Sequence, residues 1–143
     1  MGYTPMTEDE WRAFLMAEPR PAVLSTVRAD GRPHSAPIWI VLEGDDIVFN
    51  TGDATVKGRN LARDGRCSIL VQDDRAPFSY VAVEGVASSS DDLDEVRRVA
   101  AAIGGRYMGA DRAEEYGARN GVPGELVVRV RPVTVVAVRD VAD

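Results

Sequence analysis

Between Thr55 and Arg66 the chain carries Lys57, Arg59, Arg63 and Arg66 against one acid, Asp64. The molecule as a whole is acidic, with a net charge of −6 over 143 residues. The basic cluster follows a strand-like "IVFNT" and a short "GDA" loop, and Thr55 is a good helix N-cap. A helix begun at Thr55 places Lys57 and Arg59 in its first turns. A helix N-terminus has unpaired N–H groups and a partial positive charge, so it binds anions. For the helix alone, cations at that end are unfavourable. Their presence points to a guest anion, most simply a phosphate. Asn60, three residues after Lys57, shares its face and offers an amide donor. Against this stands the plainer reading, a solvated basic face on a surface helix.

Three further stretches carry residues suited to a site. In "DGRPHSAPIWI" Trp39 is either a core aromatic or the flank of a planar ligand. Pro37 has no N–H, which leaves nearby backbone groups free to bond a ligand. His34 titrates near neutral pH and reads as an exposed strand residue. In "DDRAPFSYVAVEGVA" Phe78 and Tyr80 are two apart, which places them on one face of a strand. They are either a cross-strand packing pair or, with Pro77, a cleft wall. Glu84-Gly85 inside that strand predicts a bulge or a close backbone approach. Asp73 and Asp74 read as turn residues, and Cys67 as a small buried hydrophobe. There is no Walker loop, no nucleophile elbow and no His/Cys metal cluster.

The elements that must position these residues are legible in outline. Thr7 and Glu10 form a capping box for a helix over Thr7–Ala17, with Trp11, Phe14 and Leu15 on its apolar face. Strands follow over Ala22–Val27, His34–Leu42 and Ile47–Thr51, joined by Asp30-Gly31 and "EGDD" turns into a meander. After the Thr55–Asp64 helix come strands over Cys67–Asp73 and Ser79–Ser89. A helix over Asp91–Gly105 is stopped by Gly104-Gly105. A short helix over Asp111–Asn120 precedes a long last strand, Gly124–Asp140, bulged at Pro132. Six antiparallel strands with short peripheral helices predict a mainly β (α+β) domain, most simply a small barrel.

Length and composition predict one domain, residues 1–143, with 45% apolar and 28% charged residues. No apolar run approaches the ~20 residues of a membrane span, and the N-terminus lacks a signal-peptide pattern. The single Cys67 and single His34 exclude an internal disulfide and any site built on two imidazoles. The acidic balance argues against general nucleic-acid binding. A soluble cytoplasmic protein is expected.

"AVLSTVRADGRPHSAPIWI", "NTGDATVKGRNLARDGRCSIL" and "FSYVAVEGVA" resemble, in order and spacing, the pyridoxamine 5′-phosphate oxidase-like flavin-binding split barrels. The resemblance covers Ala22–Ala87 and is closer to the B-type branch that uses the deazaflavin coenzyme F420. It implies a six-stranded antiparallel split β-barrel of the FMN-binding type, forming a homodimer with cofactor grooves at the interface. It implies that Lys57 and Asn60, with Arg59 and Thr55 beside them and Asn50 and Thr51 leading in, hold the cofactor phosphate. It implies that Ser35, Ala36, Pro37 and Trp39 border the ring, and that Pro77, Phe78 and Tyr80 reach the cofactor of the partner subunit. Thr55 stands where some relatives have another basic residue. The function implied is hydride transfer from reduced F420 to a small electron-poor acceptor, with no catalytic side chain assigned. The alternatives are an FMN-dependent oxidoreductase and a non-catalytic flavin-, deazaflavin- or haem-binding protein. Pyridoxamine phosphate oxidation itself is disfavoured, because Arg129 and Arg131 do not match the family's substrate-phosphate spacing.

Overall fold

The computed structural model describes residues 4–143. Eight antiparallel strands form one sheet: β1 (Thr4–Pro5), β2 (Ala22–Val27), β3 (Pro33–Ile38), β4 (Val41–Glu43), β5 (Asp46–Gly52), β6 (Arg66–Gln72), β7 (Tyr80–Ser90) and β8 (Glu125–Arg139). The path across the sheet is β3-β2-β6-β7-β8-β5-β4, with β1 added to β8. The two ends of that path, Ile38 and Val41, are separated in sequence only by Trp39 and Ile40. The sheet must therefore curl until its ends meet, which makes a barrel. Phe49, Leu24, Ile40, Ile69 and Val83 fill it, with Trp11 and Leu15 of α1 (Glu8–Ala17) closing one end.

The count of six strands is corrected to eight. Thr4–Pro5 adds a short pair, and the expected His34–Leu42 strand breaks at Trp39–Ile40. The expected meander survives as two hairpins, β2–β3 and β4–β5, on opposite sides of the seam. Long-range side chains hold the break. The Ile40 N–H donates to the Tyr107 hydroxyl at 3.1 Å, and the Ile40 carbonyl accepts from Arg106 at 2.5 Å. Both backbone groups that leave the ladder are thus satisfied from α3 (Leu93–Met108). The bulge is where the sequence places it. Glu84 pairs with Thr134 and Gly85 with Pro132, which leaves Val133 extra. A Cβ on Gly85 would lie 2.6 Å from the Arg131 carbonyl oxygen, so the backbones do approach closely there.

Gly104-Gly105 does not stop α3, which runs on to Met108 and ends at Gly109 with φ 118°. The pair serves packing instead. A Cβ on Gly104 would sit 2.2 Å from Cβ of Tyr116, on α4 (Ala113–Asn120). These glycines let α4 lie directly against α3, and that contact brings Tyr116 to the site. A 3₁₀ turn, Ala110–Arg112, links the two helices. Among the described residues, no helix is long and apolar enough to cross a membrane.

Candidate functional site

The basic helix α2 (Val56–Arg63) is seated on the end of β5. The Gly52 carbonyl accepts from the Thr55 N–H at 3.2 Å and from the Thr55 hydroxyl at 2.7 Å. The same hydroxyl oxygen caps the helix by accepting from the Gly58 N–H at 3.1 Å, with Thr51 Oγ1 3.2 Å behind it. A Cβ on Gly58 would lie 2.2 Å from the Gly52 carbonyl oxygen, so only glycine permits this seat. Gly58 and Arg59 spend their N–H groups on Thr55. Those of Val56 and Lys57 have no intrahelical acceptor and form the open N-terminus.

Beside that terminus lies a cavity of about 290 Å³. Pro37 and Trp39 line it from the seam, Asn50 from β5, Lys57 from α2, and Tyr116 and Asn120 from α4. Trp39 is 37% exposed, so it is a wall of this cavity and not core. Its indole stacks on Tyr107 at 4.9 Å and 5°, and meets Tyr116 edge-on at 6.4 Å. Tyr107 is held in turn, donating its hydroxyl to the Arg20 carbonyl at 2.7 Å. Arg106 donates to the carbonyls of Ile40, Leu15 and Glu18. Burial pulls its pKa below the ordinary arginine value. The arrangement offers a rigid aromatic wall, two amide side chains and a cation beside free helix N–H groups. That set suits a flat, phosphate-bearing molecule. Among the described residues no cluster could hold a metal ion.

The predicted site residues divide into groups. Pro37, Trp39, Asn50 and Lys57 meet at the cavity, while Thr51 and Thr55 build the seat beneath it. Arg59 faces the other side of α2, in a separate groove of about 340 Å³ shared with Arg28, Arg63 and the Arg32–Asp30 ion pair. Asn60 is 4% exposed, and its amide donates to Thr26 Oγ1 at 3.0 Å while its oxygen accepts from Arg63. Its amide therefore ties α2 to β2. Ser35 turns to the outer face of the sheet, where its hydroxyl lies 3.0 Å from that of Ser25, and Ala36 is half-buried. Pro77, Phe78 and Tyr80 lie away from the cavity, with the Pro77 and Phe78 carbonyls pairing with the C-terminal segment. Phe78 has a left-handed backbone, φ 64°, and precedes the strand, so the same-face reading of Phe78 and Tyr80 fails. His34 is half-buried, not exposed, and its Nδ1 has no hydrogen-bond partner. Cys67 is buried as expected, and burial pushes its thiol pKa to about 11.

Sequence reasoning missed Tyr107, Tyr116 and Asn120. The available signal was the four-residue spacing of Tyr116 and Asn120, which places both on one helical face.

A curled antiparallel sheet whose ends meet at the Trp39–Ile40 seam defines a split barrel. Residues 7–139 match the family described as pyridoxamine 5′-phosphate oxidase, and the chain belongs to that family. No curated protein matches it. Among solved structures it is similar to a conserved hypothetical protein, Rv2991, of Mycobacterium tuberculosis. That likeness is 26% identical with a TM-score of 0.79, over 91% of this chain and 82% of the other. It is also similar to an F420 reductase, at 24% identity and TM-score 0.69, over 86% of this chain and 94% of the other. The heme storage protein HutZ of Vibrio cholerae is 19% identical with TM-score 0.70, over 92% and 96%. The last two share the fold. That fold carries both redox and storage proteins, so its presence alone does not select a reaction.

Proposed function

We propose that the chain is a deazaflavin (F420)-dependent oxidoreductase that reduces a small electron-poor organic acceptor, working as a homodimer. The observation that carries this reading is a pair of basic sites on opposite sides of α2. Lys57 and the free N–H groups of Val56 and Lys57 suit one phosphate. FMN ends at such a phosphate. A deazaflavin tail continues through a phosphodiester to several glutamates, and Arg28 and Arg59 suit that extra charge in a groove where Arg32 is already paired with Asp30 and Arg63 with the Val27 carbonyl. When bound, the reduced cofactor supplies a hydride. This chain's own contribution is to hold the phosphate, border the ring with Pro37 and Trp39, and enclose the acceptor against Tyr116 and Asn120. The acceptor's proton comes from solvent.

The test is titration of the purified protein with F420 and with FMN, followed by cofactor fluorescence. F420 binds the more tightly. Lys57→Ala weakens binding of both by about 1.5–3 kcal/mol, the value of a charged hydrogen bond. Arg59→Ala weakens F420 alone. Tighter FMN binding moves the protein to FMN chemistry on the same fold. F420 binding without turnover of any nitro, quinone or enone acceptor makes it a storage or sensing protein. An unchanged affinity in Lys57→Ala removes the phosphate site.

A further inference from the structure

Glu125 opens β8 and pairs across the ladder with Gly52, the residue on which α2 is seated. Two side chains converge over the Gly52 Cα. A Cβ there would lie 3.3 Å from Thr55 Cγ2 and 3.6 Å from Glu125 Oε1. The Glu125 carboxylate is therefore held beside the cap of the basic helix, at the open end. It is half-buried. The charged groups facing it are Lys57 from α2 and Asp53 from the loop between β5 and α2. Asp53 is fixed there by its N–H, which donates to the Gly124 carbonyl at 2.8 Å.

A carboxylate at a helix N-terminus is favourable by itself. Glu125 does not line the cavity, but it lies beside Thr55 and shares Lys57 with any phosphate that enters. Resting on the phosphate reading of Lys57, we propose that Glu125 is the resident counter-anion of the α2 N-terminus. It sets the affinity and pH range with which that terminus takes a phosphate ester.

The sign follows from the charges. Burial already raises the Glu125 pKa; Lys57 opposes the shift and Asp53 adds to it. A phosphate arriving beside Lys57 places a second anion near the carboxylate, which raises its pKa further. Binding therefore takes up part of a proton and tightens as pH falls through the range of Glu125. A phosphomonoester blurs this, because it loses its own second proton near pH ~6. The phosphodiester of F420 does not titrate there, and its glutamates and ring hydroxyl titrate alike against both proteins, so F420 is the probe and the difference between wild type and variant is the readout.

The experiment compares F420 affinity of the wild type and Glu125→Gln from about pH 7.5 to about pH 5. The wild type tightens as pH falls. Glu125→Gln binds tighter at neutral pH, by about threefold or more, and lacks the wild type's extra tightening as pH falls. Calorimetry of both proteins in two buffers of different ionisation enthalpy shows greater proton uptake on binding in the wild type. Equal affinity and equal pH slope in the two proteins, or equal proton uptake, overturns the proposal while leaving the phosphate site standing. Binding of F420 by neither protein overturns both.

Discussion

Asn60 shows how one residue can satisfy two readings until its partners are known. By sequence it is a phosphate donor three residues from Lys57. In the fold its amide is turned inward onto Thr26, behind the helix. Asn60→Ala leaves the buried Thr26 hydroxyl without that donor and should cost about 1–3 kcal/mol of stability. The same change should alter F420 affinity much less than Lys57→Ala does. Urea unfolding and fluorescence titration of the two variants side by side check this. An Asn60→Ala protein of unchanged stability with abolished binding would return Asn60 to the phosphate. Lys57 and Arg59 are a related case. Two residues apart on a helix, they face different grooves, so the one basic cluster of the sequence is divided in the fold.

At the scale of elements, the near wall of the cavity comes from the seam and α2, and the far wall from α3 and α4. The far wall depends on glycine. Gly104→Ala puts a methyl group where the Tyr116 side chain begins, and overpacking of this kind costs about 1–3 kcal/mol. The expected outcome is a lower urea midpoint, with faster amide exchange in α4 than in the sheet. Exchange unchanged in α4 would mean that the helix does not depend on this contact. The glycine pair also marks where sequence reading stops. Local signals were legible because their partners are a few residues away. Glu10 caps Thr7, and Thr55 caps Gly58. The break at Trp39–Ile40 was not, since "PIWIVL" is an unbroken run of strand formers after the proline. Its cause lies in Arg106 and Tyr107, more than sixty residues on. A helix-stopping glycine pair and a helix-packing one look alike until the neighbouring helix is placed.

The whole molecule leaves one face of its sheet uncovered. Val23, Leu70, Ala82 and Val136 are register partners in a row across β2, β6, β7 and β8, and all point outward. Val136 is 51% exposed, and Val86 and Val133, at 50% and 70%, lie beyond the next row. The next row carries Ser25, Ser68, Glu84 and Thr134, which need hydrogen-bond partners when covered. An apolar patch crossed by a polar stripe is the make-up of an interface, and a second copy fits the proposed function best. It would bring another Pro77–Tyr80 loop, exposed in each chain at Phe78, within reach of a cavity that its own chain's loop does not touch. The wild type should therefore sediment at twice the 15.5 kDa of one chain. Val136→Glu tests the face. In one chain the new carboxylate is solvated and the fold is undisturbed. In the dimer it is an unpaired charge buried in the interface, at a cost of several kcal/mol. The variant should run as one chain, with an unchanged far-ultraviolet dichroism spectrum. If the cavity is completed across the interface, it should also bind F420 less tightly. A wild type that sediments as one chain at micromolar concentration sinks the dimer. A monomeric Val136→Glu protein with undiminished affinity would place the whole cofactor site within a single chain.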